Sequence, residues 1–422
     1  MTTESVRADG RGSPVDGAYA WFRLAVSVLL GTIGSVGMWS IVVTLPYIQA
    51  EFGVDRASAS FPYTATMIGF GAGNLVLGRM VDRWGIMVPL IFAAALLGAG
   101  FTLAAGAGAI WQLALIQGGL IGLGAAAGFG PLIANISHWF QRRRGIAVAT
   151  TASGNYLAGA IWPTLLQRSI EAEGWRATYL GLGLFCVVAM VPLALLLRRA
   201  MPAEAPLPRG VGAPAMPVLR AIDLSPRALQ WLLALAGVGC CVAMSMPQVH
   251  LVAYCADLGY GVARGAEMLS LMLAGGIVSR IGSGFLADAI GGVRTLLLGA
   301  VAQCVALMLF LTSDGLASLY IIALVFGLSQ GGIVPCYAII VREYLPAREA
   351  GQRIGMIIMA TLVGMALGGW MSGWLYDLTG SYRAAFMNGI AWNLLNMSII
   401  ATILWRTRGP MTGRTHASTG SA

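Results

Sequence analysis

The chain has 422 residues, of which 58% are hydrophobic and 10% charged, with a mean hydropathy of +0.78. Soluble domains carry about 25% charged residues, so this balance excludes a water-soluble globular protein. The net charge of +9 is carried by arginine with no lysine, and its placement along the chain speaks for membrane topology and against nucleic-acid binding.

Residues 1–18 form a polar tail with Arg7 and Arg11. The apolar run that follows is too long for a signal-peptide core and is expected to stay as the first span. A helical crossing takes about 20 residues. The apolar runs predict twelve helices at 20–46, 59–78, 87–106, 111–137, 145–168, 176–197, 229–254, 265–287, 293–312, 316–341, 353–376 and 384–405. They are too long and too uniformly apolar for the alternating strands of a membrane barrel. The stretch 199–228 is rich in proline and arginine without a long apolar run, which predicts a cytoplasmic linker. It separates a six-helix bundle at 19–198 from a second at 229–406, and 407–422 is a second tail. The expected fold is an all-α membrane protein of twelve transmembrane helices in two pseudo-symmetric halves.

With the N-terminus in the cytoplasm, the inner loops receive Arg79, Arg83, Arg142, Arg143, Arg144, Arg198, Arg199, Arg294 and Arg342, among others. The outer side receives Arg56, Arg168, Arg176, Arg264 and Arg383. This bias follows the positive-inside rule and puts both termini inside the cytoplasmic (inner) membrane. The six cysteines fall in or at the edge of spans without CxxC spacing, so they are expected as buried small hydrophobes. The three histidines, His138, His250 and His416, lie at unrelated depths. No enzyme constellation, metal site or cofactor is therefore expected.

The chain repeats itself at a spacing of about 206 residues. GRMVDRWG at 78–85 matches GFLADAIG at 284–291, with Gly78, Asp82 and Gly85 falling on Gly284, Asp288 and Gly291. FGVDRAS matches YGVARGA, aligning Arg56 with Arg264, and GWRATYLG matches SYRAAFMN, aligning Arg176 with Arg383. A parallel duplication of six-helix units is a transporter architecture whose halves rock about a midplane site.

GRMVDRWG resembles the loop between helices 2 and 3 of the major facilitator superfamily, G-x-x-x-D-R-x-G, and GFLADAIG occupies the place of its second copy. The resemblance implies a conformational latch made of Gly78, Asp82, Arg83, Gly85, Gly284, Asp288 and Gly291 with the basic run Arg142, Arg143 and Arg144. Asp82 at a helix end can accept hydrogen bonds from arginine or a neighbouring helix N-terminus and so hold the outward-open state. Two further stretches narrow the resemblance. DGAYAW at 16–21 is similar to the signature that opens helix 1 in the monocarboxylate porter group, with Ala18 and Tyr19 as departures. HWFQRRRGIAVATTASGNYLAG at 138–159 is similar to that group's second signature, and MPQVHLVAYCADLG resembles the end of helix 7 in its bacterial members and in the oxalate/formate exchangers.

One arginine, Arg280, sits inside an otherwise apolar span. It precedes Asp288 by eight residues, which at 1.5 Å per residue places it about 12 Å deep. The acids all fall in tails, loops or helix ends, so Arg280 has no built-in carboxylate at its depth. A guanidinium stays charged and offers a fork that matches a carboxylate. Snorkelling to the interface or bonding to backbone carbonyls is the structural alternative. The monocarboxylate porters carry an arginine in helix 8 as counter-charge for substrate, and Arg280 is the residue on that match. Animal-type proton symporters place an aspartate one turn earlier, where this chain has Gly276, and a lysine in helix 1 that this chain lacks.

The remaining candidates for substrate contact are Asn155, Gln330, His250, Tyr254 and Asn74, the last being the repeat counterpart of Arg280. His250 is also the one cavity-depth group that titrates near neutral pH. The expected function is secondary transport of a small organic anion, a monocarboxylate, by alternating access. The expected partners are that anion, a proton or counter-anion, and the lipid bilayer, and the carrier is expected to be monomeric. The competing expectation, from the same architecture, is export of neutral or amphiphilic compounds, which would be indifferent to Arg280.

Overall fold

The computed structural model describes residues 15–141, 143–199 and 222–407, without the side chains of Arg144, Ala347 and Arg348. Most of both predicted tails, most of the 199–228 linker, and Arg142 therefore lie outside the described residues. The first helices are α1 (Ala18–Gly34), α2 (Val36–Phe52), α3 (Arg56–Trp84) and α4 (Met87–Ala105). An interrupted segment follows: α5 (Ile110–Ile116), a wide turn at Gln117–Gly122, α6 (Leu123–Ala125), a tight turn at Ala126–Gly128, and α7 (Gly130–Ile136). Next come α8 (Arg144–Ala152) and α9 (Gly154–Leu196), the latter broken at Gly174 (φ 79°, ψ 160°). The second part comprises α10 (Pro226–Asp257), α11 (Val262–Ile290), α12 (Gly292–Thr312), α13 (Leu316–Gln330), α14 (Ile333–Tyr344), α15 (Ala347–Thr379) and α16 (Tyr382–Arg406).

Local chemistry sets these boundaries. Asp55 caps α3 by accepting from the Ser58 amide at 2.7 Å, which holds its carboxyl below the usual range. Ser225 caps α10 with Pro226 in its first turn. The first predicted span, 20–46, extends to Phe52, and the second, 59–78, runs from Arg56 to Trp84. Both differences arise because hydropathy marks only the hydrocarbon part of a helix, while polar turns at its ends satisfy their backbone in the helix all the same. Ten stretches of the described residues are long and apolar enough to cross a membrane. All six cysteines are buried with free thiols, as their sequence context predicts.

The helices pack all-α with a pseudo-symmetric pattern. α3 lies antiparallel against α15 and α9 against α11, forming two seams between the 15–199 and 222–407 segments. Cross-seam packing runs from the end that carries Arg56 (the Arg56 face) to mid-helix. A methyl on Gly373 would meet the Arg56 carbonyl at 2.7 Å, and one on Gly71 would meet Met359 Sδ at 3.2 Å. On the second seam Thr164 and Ser270 share a hydrogen bond of 3.0 Å. At the opposite end, the Asp82 face, a methyl on Gly78, Gly145, Gly284, Gly351 or Gly355 would meet nothing within 4 Å. Close cross-seam contacts thus run from the Arg56 face to mid-helix, while these glycines toward the Asp82 face have open space beside them.

Candidate functional site

Arg280 stands on α11 at the second seam, between Ser270 and Gly284. Its Nη1 donates to the Ala152 carbonyl at 2.9 Å and its Nε to the Gly331 carbonyl at 3.3 Å. Both acceptors lie at helix breaks, between α8 and α9 and between α13 and α14, where carbonyls are released from the helical ladder. The guanidinium lies 4.4 Å from the centroid of the Tyr156 ring. Such a cation–π contact is worth about 0.5–2 kcal/mol and leaves the charge intact. Beyond these carbonyls the guanidinium interacts with the Tyr156 side chain through its hydroxyl as well as its ring, and no carboxylate of the described residues forms an ion pair with Arg280. The residue is half-buried, so a charge is held within an apolar span with neutral neighbours around it.

Among the sequence candidates, Asn155 precedes Tyr156 on α9, and its own contacts are with α2. Its Nδ2 touches only the Met38 thioether, at 3.3 Å, and its backbone carbonyl accepts from Trp39 Nε1 at 3.4 Å. Asn74 bridges elsewhere, donating to the Phe70 carbonyl at 2.8 Å and accepting from the Gly130 amide at 3.1 Å, across the break that opens α7. Arg280 and its repeat counterpart thus both attend a break in a facing helix. Gln330 is fully buried, accepts from Gln248 Nε2 at 2.8 Å, and leaves its own Nε2 without a partner.

His250 and Tyr254 belong to a different cluster, at the Arg56 face. The His250 Nε2 lies 2.8 Å from the Gly369 carbonyl, so it carries the proton and donates, and Nδ1 accepts from the Tyr382 hydroxyl at 3.0 Å. Tyr254 packs edge-on against Tyr382 and Phe386 and lines a cavity of about 300 Å3 with Phe310, Asp314 and Arg383.

That cluster centres on Arg56, which the sequence marks by its outer position and its repeat partner Arg264 and not as a site residue. Arg56 is 7% exposed. Its Nη2 pairs with Asp257 at 3.1 Å, its Nη1 donates to the Tyr382 hydroxyl at 2.6 Å, and its guanidinium lies 4.6 Å from the Tyr376 ring centroid. Asp377, on the last turn of α15, accepts from the backbone amides of Arg56 and Ala57 at 2.9 and 2.7 Å. A carboxylate from one segment therefore caps a helix of the other and favours its positive end. The usable sequence signal was the rarity of outer arginines combined with acids at the ends of two later spans.

The latch residues are apart from one another. Asp82, Arg83, Gly85, Asp288 and Arg143 are exposed, and neither Asp82 nor Asp288 forms an ion pair among the described residues. Gly85 (φ 74°) and Gly291 (φ 88°) end α3 and α11 in a backbone region that other residues rarely adopt, which explains the repeated final glycine of the motif.

The two N-terminal signatures meet in space. The Asp16 amide donates to the Trp139 carbonyl at 3.0 Å, and the Gln141 amide reaches the Asp16 carboxylate at 3.2 Å. Trp21 packs edge-on against Phe140, with ring centroids 5.1 Å apart. Beneath them Arg23, 1% exposed, donates to Asn135 Oδ1 at 2.8 Å and to the Leu197 carbonyl at 3.1 Å, with Trp139 stacked at 4.2 Å. This knot ties the start of α1 to the ends of α7 and α9.

A hydrophobic bundle whose two segments meet along two seams about a half-buried cation is the build of a membrane carrier. The sequence profile of the Major Facilitator Superfamily matches residues 28–292 and 268–420, and the chain belongs to that family. It is 27% identical over 400 residues to monocarboxylate transporter 13 of Bos taurus, covering 93% of this chain and 91% of that protein. It is also 27% identical over 400 residues to monocarboxylate transporter 11 of Homo sapiens, covering 92% and 83%. Among solved structures, a bacterial homologue of the human lysosomal transporter Spinster in an inward-facing, occupied conformation has a TM-score of 0.68 at 13% identity, over 94% of this chain and 98% of that one. The nucleoside transporter NupG has a TM-score of 0.70 at 12% identity, over 90% and 99%. The protein is a multi-pass secondary transporter of that superfamily, and it is not an enzyme.

Proposed function

We propose that this transporter moves a small organic anion, a monocarboxylate, by alternating access, and that Arg280 receives the carboxylate. The observation that carries the reading is a permanently charged guanidinium in the second seam, held by two carbonyls and a ring. It has no acid of its own among the described residues. A carboxylate docking on the guanidinium gains charge-assisted hydrogen bonds worth about 1.5–3 kcal/mol. A single deep cation suits a monoanion, and we assign Asn155 to the remaining carboxylate oxygen or a substrate hydroxyl. The curated relatives named as monocarboxylate transporters support the same class.

In this reading the Asp82 face is cytoplasmic, in keeping with its exposed arginines, and the structure is the inward-open state. Dividing residues 145–196 at Gly174 and counting α3 gives twelve crossings in two six-helix halves, 19–198 and 229–406, of a monomer in the cytoplasmic membrane. The Arg56 cluster is the closed outer gate, and the 78–85 and 284–291 loops are the latch that engages when the inner side closes. The test is uptake of labelled carboxylates into liposomes holding the purified protein, with and without a proton gradient, against Arg280→Ala. Uptake by wild type that the variant loses is the expected result. Efflux of neutral compounds indifferent to the substitution would replace this reading with an exporter.

A further inference from the structure

The ring beneath Arg280 exists because of one glycine. Gly276 lies four residues before Arg280 on α11, on the same helix face, where a side chain would reach the guanidinium. The Tyr156 ring from α9 fills that place: a methyl on Gly276 would lie 2.4 Å from its Cε1 and 2.5 Å from its Cδ1. No residue with a Cβ fits while the ring is there, and an aspartate at 276 fits least. Gly276 is also pressed from the far side, since a methyl on Gly331 would meet the Gly276 carbonyl at 2.1 Å. The arrangement forces α9, α11 and the α13–α14 break to meet around one cation.

A tyrosine face differs from a carboxylate in what it leaves available. A carboxylate would occupy the guanidinium fork and neutralise it, competing with an incoming anion. The ring is a neutral neighbour of the guanidinium, which keeps its charge uncancelled for an incoming anion. With Nε and Nη1 directed at Gly331 and Ala152, the orientation of the guanidinium is fixed.

We propose that Tyr156 and Gly276 form a positioning pair: the glycine admits the ring, and the ring holds Arg280 in place with its charge uncancelled for a cargo anion. This rests on Arg280 being the anion site. The pair acts through Arg280, so its signature is a change in KM with the turnover of loaded carrier largely kept. Transport in proteoliposomes and thermal unfolding would be measured for Tyr156→Phe, Tyr156→Leu, Gly276→Asp and the double variant Gly276→Asp with Tyr156→Ala.

The expected results are a KM within about threefold of wild type for Tyr156→Phe and at least tenfold higher for Tyr156→Leu. Gly276→Asp should be strongly destabilised alone and recover its melting temperature in the double variant, because removing the ring removes the clash. The recovered double variant should still have a KM raised at least tenfold, because the new carboxylate competes for Arg280. An unchanged KM in Tyr156→Leu, or equal melting of the single and double Gly276 variants, would overturn the proposal. Absence of carboxylate transport by wild type would instead sink the anion-site reading, and the melting comparison would still test the packing of the pair.

Discussion

Two arginines at the seams meet opposite fates. Arg56 is buried and paired with a resident acid, with Asp257 and Tyr382 on its guanidinium and Asp377 on the backbone amides of Arg56 and Ala57. Arg280 is half-buried, held by main-chain carbonyls and a ring, and has no acid partner among the described residues. Removing a charge from water costs several kcal/mol unless a partner restores it. At Arg56 the protein supplies the partner, and the two segments are locked together. At Arg280 it supplies neutral acceptors that orient the cation without cancelling it, which leaves an anion from outside as the best available partner. On the proposed reading, the comparison separates a gate from a site.

The largest expected effect comes from removing the uncancelled cation. Arg280→Ala should lower carboxylate kcat/KM by at least a hundredfold, and Arg280→Lys by about tenfold, since lysine keeps the charge and loses the fork. Equal activity of the lysine variant in initial-rate uptake would show that only charge matters there. Next is the gate: Arg56→Gln strips the guanidinium tie and should shift the population toward outward-open carriers. Alkylation of a cysteine introduced at Ser60, which is fully buried, should rise about tenfold, and an unchanged rate would deny Arg56 its locking role.

A smaller shift is expected from Asp377→Asn, which weakens the cross-segment helix cap by about 1 kcal/mol, roughly fivefold in the same labelling assay. The smallest is Asp82→Asn. Its carboxylate is exposed and unpaired here, so labelling of the Asp82 face in resting carriers should stay within about twofold, while cycling slows. A large rise in labelling would mean that Asp82 already holds this state.

Much of the fold was legible because the hydrocarbon thickness fixes helix length and the 206-residue repeat exposes the duplication. Helix ends were less so: Asp55 and the charged turn around Asp82 extend α3 well past its apolar run. Arg280 was legible because a lone cation in an apolar run is anomalous on composition alone. The Arg56 cluster was not, since its partners come from residues 201 to 326 positions away in the chain, and only the packed seams bring them together. His250 shows the limit of residue-type reasoning. A titratable ring at the depth of the candidate site is here part of the Arg56 cluster, bonded at both nitrogens.

The central claim is that Arg280 holds the cargo carboxylate, and equilibrium binding tests it most directly. Titration of a monocarboxylate substrate into purified wild type and Arg280→Gln, monitored by calorimetry, isolates the contact from the motions of transport. The account predicts saturable binding to wild type and a loss of at least tenfold in affinity in the variant, with the melting temperature without ligand preserved. Equal affinity in a folded Arg280→Gln protein would contradict it.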